Sequence, residues 1–232
     1  MDTRILFIVT ARGGSKGIHK KNIKKLSGKP LLHYSLEFSR LFVDDKDICL
    51  TTDCLEIIDC AKEINYVAPF LRPSELATDN IGSFDVLKHA INYYDAKGVF
   101  YDIVVLLQPT SPFREKRHLE ESLNYFSPDL DMVVSVSESG SNPYFNIYEE
   151  DEKGNLKLSK GGMGILRRQD APPVYEFNGS IYIINANSIR FNNSFKDFKF
   201  IKKYLMPRIY SVDIDNLLDW EWAEFLIEKK LV

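Results

Sequence analysis

Five consecutive apolar residues, Ile103-Val104-Val105-Leu106-Leu107, constrain the fold of this chain more than any other feature. A strand turns alternate side chains to opposite faces, so an unbroken apolar run needs cover on both sides, as in a mostly parallel sheet. Further strands are predicted at Ile5–Thr10, Ile48–Thr52, Met132–Ser137, Ser180–Ile184 and Arg208–Val212. Between them lie amphipathic segments predicted as helices: Leu31–Leu41, Leu55–Ile64, Ile81–Tyr94, Lys116–Phe126 and Leu217–Lys230. Phe84, Leu87, Ile91 and Tyr94 recur at helical spacing, with Asp79 or Asn80 placed to cap that helix. Leu218, Trp222 and Phe225 form a similar stripe near the C-terminus. The alternation predicts an α/β fold, a Rossmann-like three-layer sandwich.

At 232 residues the chain suits one large α/β domain, or a domain plus a modest subdomain, and a single domain spanning 1–232 is expected. Its 44% hydrophobic and 27% charged content excludes a disordered chain. Thirty cations against 33 anions give a net charge of −3, so a nucleic-acid partner is not expected and only a local basic site would hold an anion. No apolar run approaches bilayer length, and Ile5–Val9 is too short for a signal-peptide core. Cys49, Cys54 and Cys60 are odd in number and lack CxxC spacing, which argues against disulfides and zinc. The expectation is a cytoplasmic protein without a membrane partner.

From Ser139 to Glu176 the chain becomes polar and rich in Gly, Pro and Asn, with Lys153-Gly154-Asn155 reading as a hairpin tip. Two readings stay open: an extended surface loop, or an excursion packed on a second subunit.

The strongest chemical signal follows the first strand, at Ala11-Arg12-Gly13-Gly14-Ser15-Lys16-Gly17-Ile18-His19-Lys20-Lys21-Asn22. Residues 12 to 29 hold seven cations and no acid, against about two for an even spread. Glycines let the backbone approach a ligand, and the cations neutralise phosphate. The loop lacks both the Gly-Lys-Ser/Thr ending of a Walker A element and the GxGxxG register, which weakens ATPase and dehydrogenase readings. A polyphosphate site at the carboxyl edge of a sheet fits, and so does a solvated basic loop.

A second signal is Val212-Asp213-Ile214-Asp215. On a strand both carboxylates would share a face and address one hard cation such as magnesium; a turn, or a helix cap at Asp215, is the alternative. His19, His33, His89 and His118 form no metal motif, and no GxSxG elbow appears. The Tyr and Phe residues are spread through predicted elements, which favours core packing over base stacking.

Several motifs, in order, resemble the acylneuraminate cytidylyltransferases, or CMP-sialic acid synthetases. They are Ala11–Gly17 with Lys21-Asn22, Leu71-Arg72-Pro73-Ser74-Glu75-Leu76-Ala77-Thr78-Asp79, Leu107-Gln108-Pro109-Thr110-Ser111-Pro112, Arg168-Gln169-Asp170-Ala171-Pro172, Asn178-Gly179-Ser180-Ile181-Tyr182, and Asp213-Ile214-Asp215. The resemblance implies transfer of a cytidylyl group from CTP, with Mg2+, to a nine-carbon acid sugar. It places Arg12, Gly14, Ser15, Lys16, Lys21 and Asn22 around the CTP phosphates, with Lys21 and Arg12 catalytic. Arg72 and Ser83 would contact the nucleotide. Gln108, Thr110, Ser111, Arg168, Asn178 and Tyr182 would form the sugar site, and Asp213 and Asp215 would hold the metal. Residues 139–176 resemble the family's dimerisation segment, implying a homodimer. Where many sialic acid enzymes have His-Pro followed by a lysine, this chain reads Asn142-Pro143-Tyr144-Phe145-Asn146. That removes a cation and leaves legionaminate, pseudaminate and the deaminated sugar open beside N-acetylneuraminate. Activation of the eight-carbon keto-deoxy-octulosonate and a non-catalytic nucleotide-binding protein are the competing readings.

Overall fold

The computed structural model describes every residue except 1–2, 16, 79–80 and 162–163. In chain order the elements are β1 (Ile5–Thr10), β2 (Lys25–Leu26), β3 (Lys29–Pro30), α1 (Leu31–Ser39), β4 (Ile48–Thr51), α2 (Leu55–Lys62), α3 (Ser83–Asp95) and β5 (Ile103–Leu107). There follow α4 (Lys116–Asn124), β6 (Met132–Glu138), β7 (Tyr148–Glu150), β8 (Leu156–Leu158), β9 (Tyr175–Asn185), α5 (Ala186–Phe191), β10 (Ile201–Leu205) and α6 (Leu217–Glu228). Six strands form the main sheet in the order β10-β6-β9-β5-β1-β4. β1 runs parallel to β4 and β5, and β10 parallel to β6, whereas β9 runs antiparallel to both of its neighbours. The sheet is therefore mostly parallel, with one reversed strand.

The apolar run of β5 is covered on both faces. Val105 and Leu107 pack with Leu32 and Leu36 of α1, Ile57 of α2 and Leu119 of α4. Val104 and Leu106 face the other way, onto Leu87 and Ile91 of α3 and Ile189 of α5. Leu87 is fully buried in this second layer. Leu87→Ala should destabilise the fold by about 2–5 kcal/mol in chemical denaturation, and a loss under about 0.5 kcal/mol would contradict such a layer.

Three sequence expectations need correction. Arg208–Val212 is not a strand: a 3-10 turn covers Arg208–Tyr210, and the edge strand is instead β10. Its sequence, Ile-Lys-Lys-Tyr-Leu, hides the strand because an edge strand pairs on one side only and tolerates lysines. The helix expected from Ile81 begins at Ser83 with Gly82 as its N-cap residue; Asp79 and Asn80 lie outside the described residues. In α6 the stripe Leu218, Trp222 and Phe225 faces outward, 74%, 50% and 41% exposed, and Trp220, Ala223 and Leu226 are buried instead. That helix is apolar around most of its circumference, so periodicity could not choose the face.

The buried face of α6 positions the site. Trp220, Ala223 and Leu226 join Ile18, Leu26, Leu31, Phe113 and Ile214 in a third, smaller core. Ile18 belongs to the basic loop and Ile214 separates the two aspartates, so one apolar cluster holds both polar motifs side by side. The excursion carries the short hairpin β7–β8, whose tip is closed by Asp151 accepting from the Lys153 and Asn155 N–H groups at 2.9 Å each.

Candidate active site

The site lies at the carboxyl ends of β1, β4 and β5, where α/β sheets hold their ligands. The basic loop leaves β1 and is tied at two points. Asn22 Nδ2 donates to the Arg12 carbonyl at 3.0 Å, and the Gly13 N–H donates to Asp53 Oδ1 at 3.0 Å. The same Asp53 oxygen accepts from Arg72 Nη2 at 3.2 Å, and the Arg72 N–H donates to the Thr52 carbonyl at 2.7 Å. Asp53 thus fixes the loop and the arginine arm together. It was missed in the sequence, although its place just past β4 is where such ligand sites collect.

Arg12, Arg72, Ser83 and Gln108 line one cleft with Thr10 and Val86. Arg72 is buried, and its Nε has no partner among the described residues. Gly14 is exposed and Ser15 half-buried on the loop, while Lys16 lies outside the described residues.

Lys20 adopts φ 51°, a left-handed conformation uncommon for a residue with a Cβ, and the chain bends there into the 3-10 turn Lys21–Ile23. Lys20 stays outside, paired with Glu56 at 2.7 Å, and Lys21 is turned inward. The turn rests on α1 and α2, which His33 joins by donating from Nε2 to the Cys60 carbonyl at 2.8 Å. Burial pushes the Cys60 thiol up to about 11 and Cys49 up to about 12, so both are protonated packing groups rather than nucleophiles.

Lys21 Nζ donates to the Ile214 carbonyl at 2.6 Å and to Asp215 Oδ1 at 3.0 Å. The two aspartates do not lie on a strand as expected: Ile214 is buried, its N–H donates to the Thr110 carbonyl at 2.8 Å, and irregular backbone carries Asp213 and Asp215 to either side. Nor does Asp215 cap α6. Asn216 does, accepting from the Leu218 and Asp219 N–H groups at 2.9 and 3.1 Å. Asp213 Oδ1 accepts from Ser111 Oγ at 3.5 Å. The enclosing protein raises the Asp213 carboxyl above its ordinary range and Asp215 adds a like charge, while Thr110, Lys21 and Ser111 act the other way. Both carboxylates are hard oxygen donors of the kind magnesium takes, and a cation there would offset the burial, and the smaller like charge, that raise Asp213.

The floor comes from an irregularity in β9. Its register against β6 slips between Val134 and Val136, where Ser135 Oγ donates to Asn178 Oδ1 at 2.6 Å and accepts from the Ile181 N–H at 2.8 Å. Gly179 adopts φ 71°, and a Cβ there would meet Ser111 Oγ at 2.6 Å, Gln108 Oε1 at 2.9 Å and Asp213 Oδ2 at 3.4 Å. Only glycine lets these three groups converge. Asn178 is buried and its side chain is committed to Ser135 and, through Nδ2, to Ser211 Oγ at 2.9 Å, so it supports the floor. Burial raises the Tyr182 hydroxyl to about 12, with Asp213 adding to the shift. Arg168 is not brought to this floor; it lines a separate hollow with Glu138, Ser139 and Arg208.

A cytidylyltransferase family model matches residues 6–211, nearly the whole framework just described. The chain belongs to the cytidylyltransferase family. It is a nucleotidyltransferase of the acylneuraminate cytidylyltransferase type. The CMP-N,N'-diacetyllegionaminic acid synthase of Legionella pneumophila is 33% identical over 225 residues, 97% of each chain. The N-acylneuraminate cytidylyltransferase of Escherichia coli is 34% identical over 99% of this chain, which spans 54% of that longer protein. The pseudaminic acid cytidylyltransferase of Campylobacter jejuni is 28% identical over 95% of each chain. Among solved structures, CMP:2-keto-3-deoxy-manno-octonic acid synthetase complexed with CTP superposes with a TM-score of 0.70 at 16% identity, covering 98% of this chain and 100% of that one. At that identity the likeness establishes the fold alone. No described helix is long and apolar enough to cross a membrane.

Proposed function

We propose that this cytidylyltransferase activates a nonulosonic acid with CTP, forming the CMP-sugar and releasing pyrophosphate. The observation that carries the reading is the convergence of the Arg12–Arg72 cleft and the Gln108–Ser111–Asp213 floor, in a chain that matches the Legionella synthase over 97% of both. The anomeric hydroxyl oxygen forms a bond to the α-phosphorus as the bond from that phosphorus to the bridging oxygen breaks. The hydroxyl proton leaves to solvent, and pyrophosphate carries away the electron pair.

Negative charge grows on phosphoryl and leaving-group oxygens, so fixed cations contribute more than a protein nucleophile. In this reading Arg12 and Lys21 meet that charge together with the Gly14, Ser15 and Asn22 positions of the basic loop, and Lys16 adds a further cation to the same stretch of sequence. Arg72 and Ser83 hold the nucleoside end. Gln108, Thr110, Ser111 and Tyr182 meet the sugar, with Asn178 behind them. Mg2+ held by Asp213 and Asp215 would neutralise phosphate charge and orient the triphosphate.

We further infer a homodimer. The excursion exposes Ile147, Tyr148, Leu156 and Leu166, which a second copy would cover while bringing Arg168 toward the partner's site. A cytoplasmic location accords with three free thiols.

The test is pyrophosphate release from CTP and Mg2+ with a panel of acid sugars, led by N,N'-diacetyllegionaminate and including N-acetylneuraminate, pseudaminate, the deaminated sugar and the eight-carbon keto acid. Release with a nine-carbon acid, abolished by chelation and restored by Mg2+, is the expected result. Release with the eight-carbon acid alone would move the protein to that neighbouring activity. CTP binding without release from any sugar would favour a non-catalytic role.

A further inference from the structure

Arg114 is the buried cation that the reaction as drawn does not use. Only two residues beyond the Gln-Pro-Thr-Ser-Pro element, it is 9% exposed. Its three side-chain hydrogen bonds go to neutral acceptors on three different elements. Nε donates to the Ser180 carbonyl in β9 at 2.7 Å, Nη1 to Ser35 Oγ on α1 at 3.1 Å, and Nη2 to the Gln108 carbonyl at the end of β5. Burial lowers its pKa to about 9, which still leaves it charged at neutral pH, and Asp213 acts against that lowering.

A buried cation satisfied by neutral groups is a costly way to fill space, and apolar residues of similar volume are often at least as stable. What a guanidinium offers is a rigid planar fork whose separate nitrogens reach acceptors on several elements, where an ammonium donates from a single nitrogen. Two of its acceptors, Gln108 and Ser180, flank the place where Gln108 Oε1, Ser111 Oγ and Asp213 Oδ2 crowd around Gly179. Gln108 also borders the cleft of Arg12, Arg72 and Ser83, and Arg114 holds its backbone from the Ser180 side.

We propose that Arg114 is a positioning residue for the acid sugar, its fork locking the Gln108 backbone to the Gly179–Ser180 turn and so setting the shape of the sugar floor. This rests on the assignment of Gln108 to the sugar site. It assigns Arg114 a specificity role separable from nucleotide binding.

The experiment compares Arg114→Met and Arg114→Lys for sugar KM and kcat, CTP affinity by calorimetry, and Tm. Arg114→Met should raise the sugar KM at least about tenfold and leave CTP affinity within about threefold. Arg114→Lys, keeping the charge and one of three links, should fall between. A folded Arg114→Met protein with a sugar KM within about twofold of the parent would overturn the proposal. So would a matched loss of sugar and CTP binding together with Tm, since that marks a scaffold role only. Should Arg114→Met not fold, Ser35→Ala removes one arm of the fork and should still raise the sugar KM selectively; no selective rise would overturn the proposal equally. Gln108→Ala separates the two levels: if it leaves the sugar KM unchanged, the sugar-site assignment has failed and the role of Arg114 falls with it.

Discussion

Lys21→Ala should lower turnover by roughly 10²–10³-fold, the usual loss when one well-placed donor to a developing oxyanion is removed. The side chain is only 10% exposed and its ammonium is held between the Ile214 carbonyl and Asp215. Deleting it therefore does two things. It removes a cation from the basic loop, and it leaves the Ile214 carbonyl without its donor, which costs about 1–3 kcal/mol of stability where that group is buried. Pyrophosphate release and thermal unfolding, measured on the same preparation, separate these effects. A folded variant with near-parental turnover would refute the role assigned to Lys21.

Gly17→Ala should also be damaging, by a different route. A Cβ at Gly17 would sit 1.9 Å from the Asp215 carbonyl oxygen and 3.1 Å from its carbon. Both are backbone atoms, so no side-chain rotation relieves the overlap. The basic loop and the Asp213–Asp215 segment must move apart, loosening the cluster of Ile18, Ile214 and Trp220 that joins them. The expected outcome is a loss of about 1–3 kcal/mol in denaturant unfolding, with turnover reduced at least about tenfold. Gly14→Ala is the stability control, because a Cβ there meets nothing within 4 Å, and its unfolding free energy should stay within about 0.5 kcal/mol. Equal stability for the two variants would show that the close approach at Gly17 does not matter.

The sequence alone determined the layered α/β architecture and the kinds of chemistry present. The central strand was legible because five apolar residues in a row admit few alternatives to cover on both faces. The basic loop was legible because seven cations in 18 positions stand out against the composition. The resemblance of the motifs to the family implies that loop, floor and aspartates belong to one site.

The tertiary structure decided what depends on contacts across long stretches of chain. Asp53 reaches Gly13 across 40 residues, Arg114 reaches Ser35 across 79, and Lys21 reaches Asp215 across 194. No local period records such pairings. The same holds for the reversal of β9, the slip at Ser135 that sets up the floor, and the edge position that lets β10 carry lysines. In α6 two apolar stripes at helical spacing compete, and packing against Ile18 and Ile214 selects the one with Trp220. Periodicity shows that a face can be buried; which face is buried follows from the partner that the rest of the fold presents.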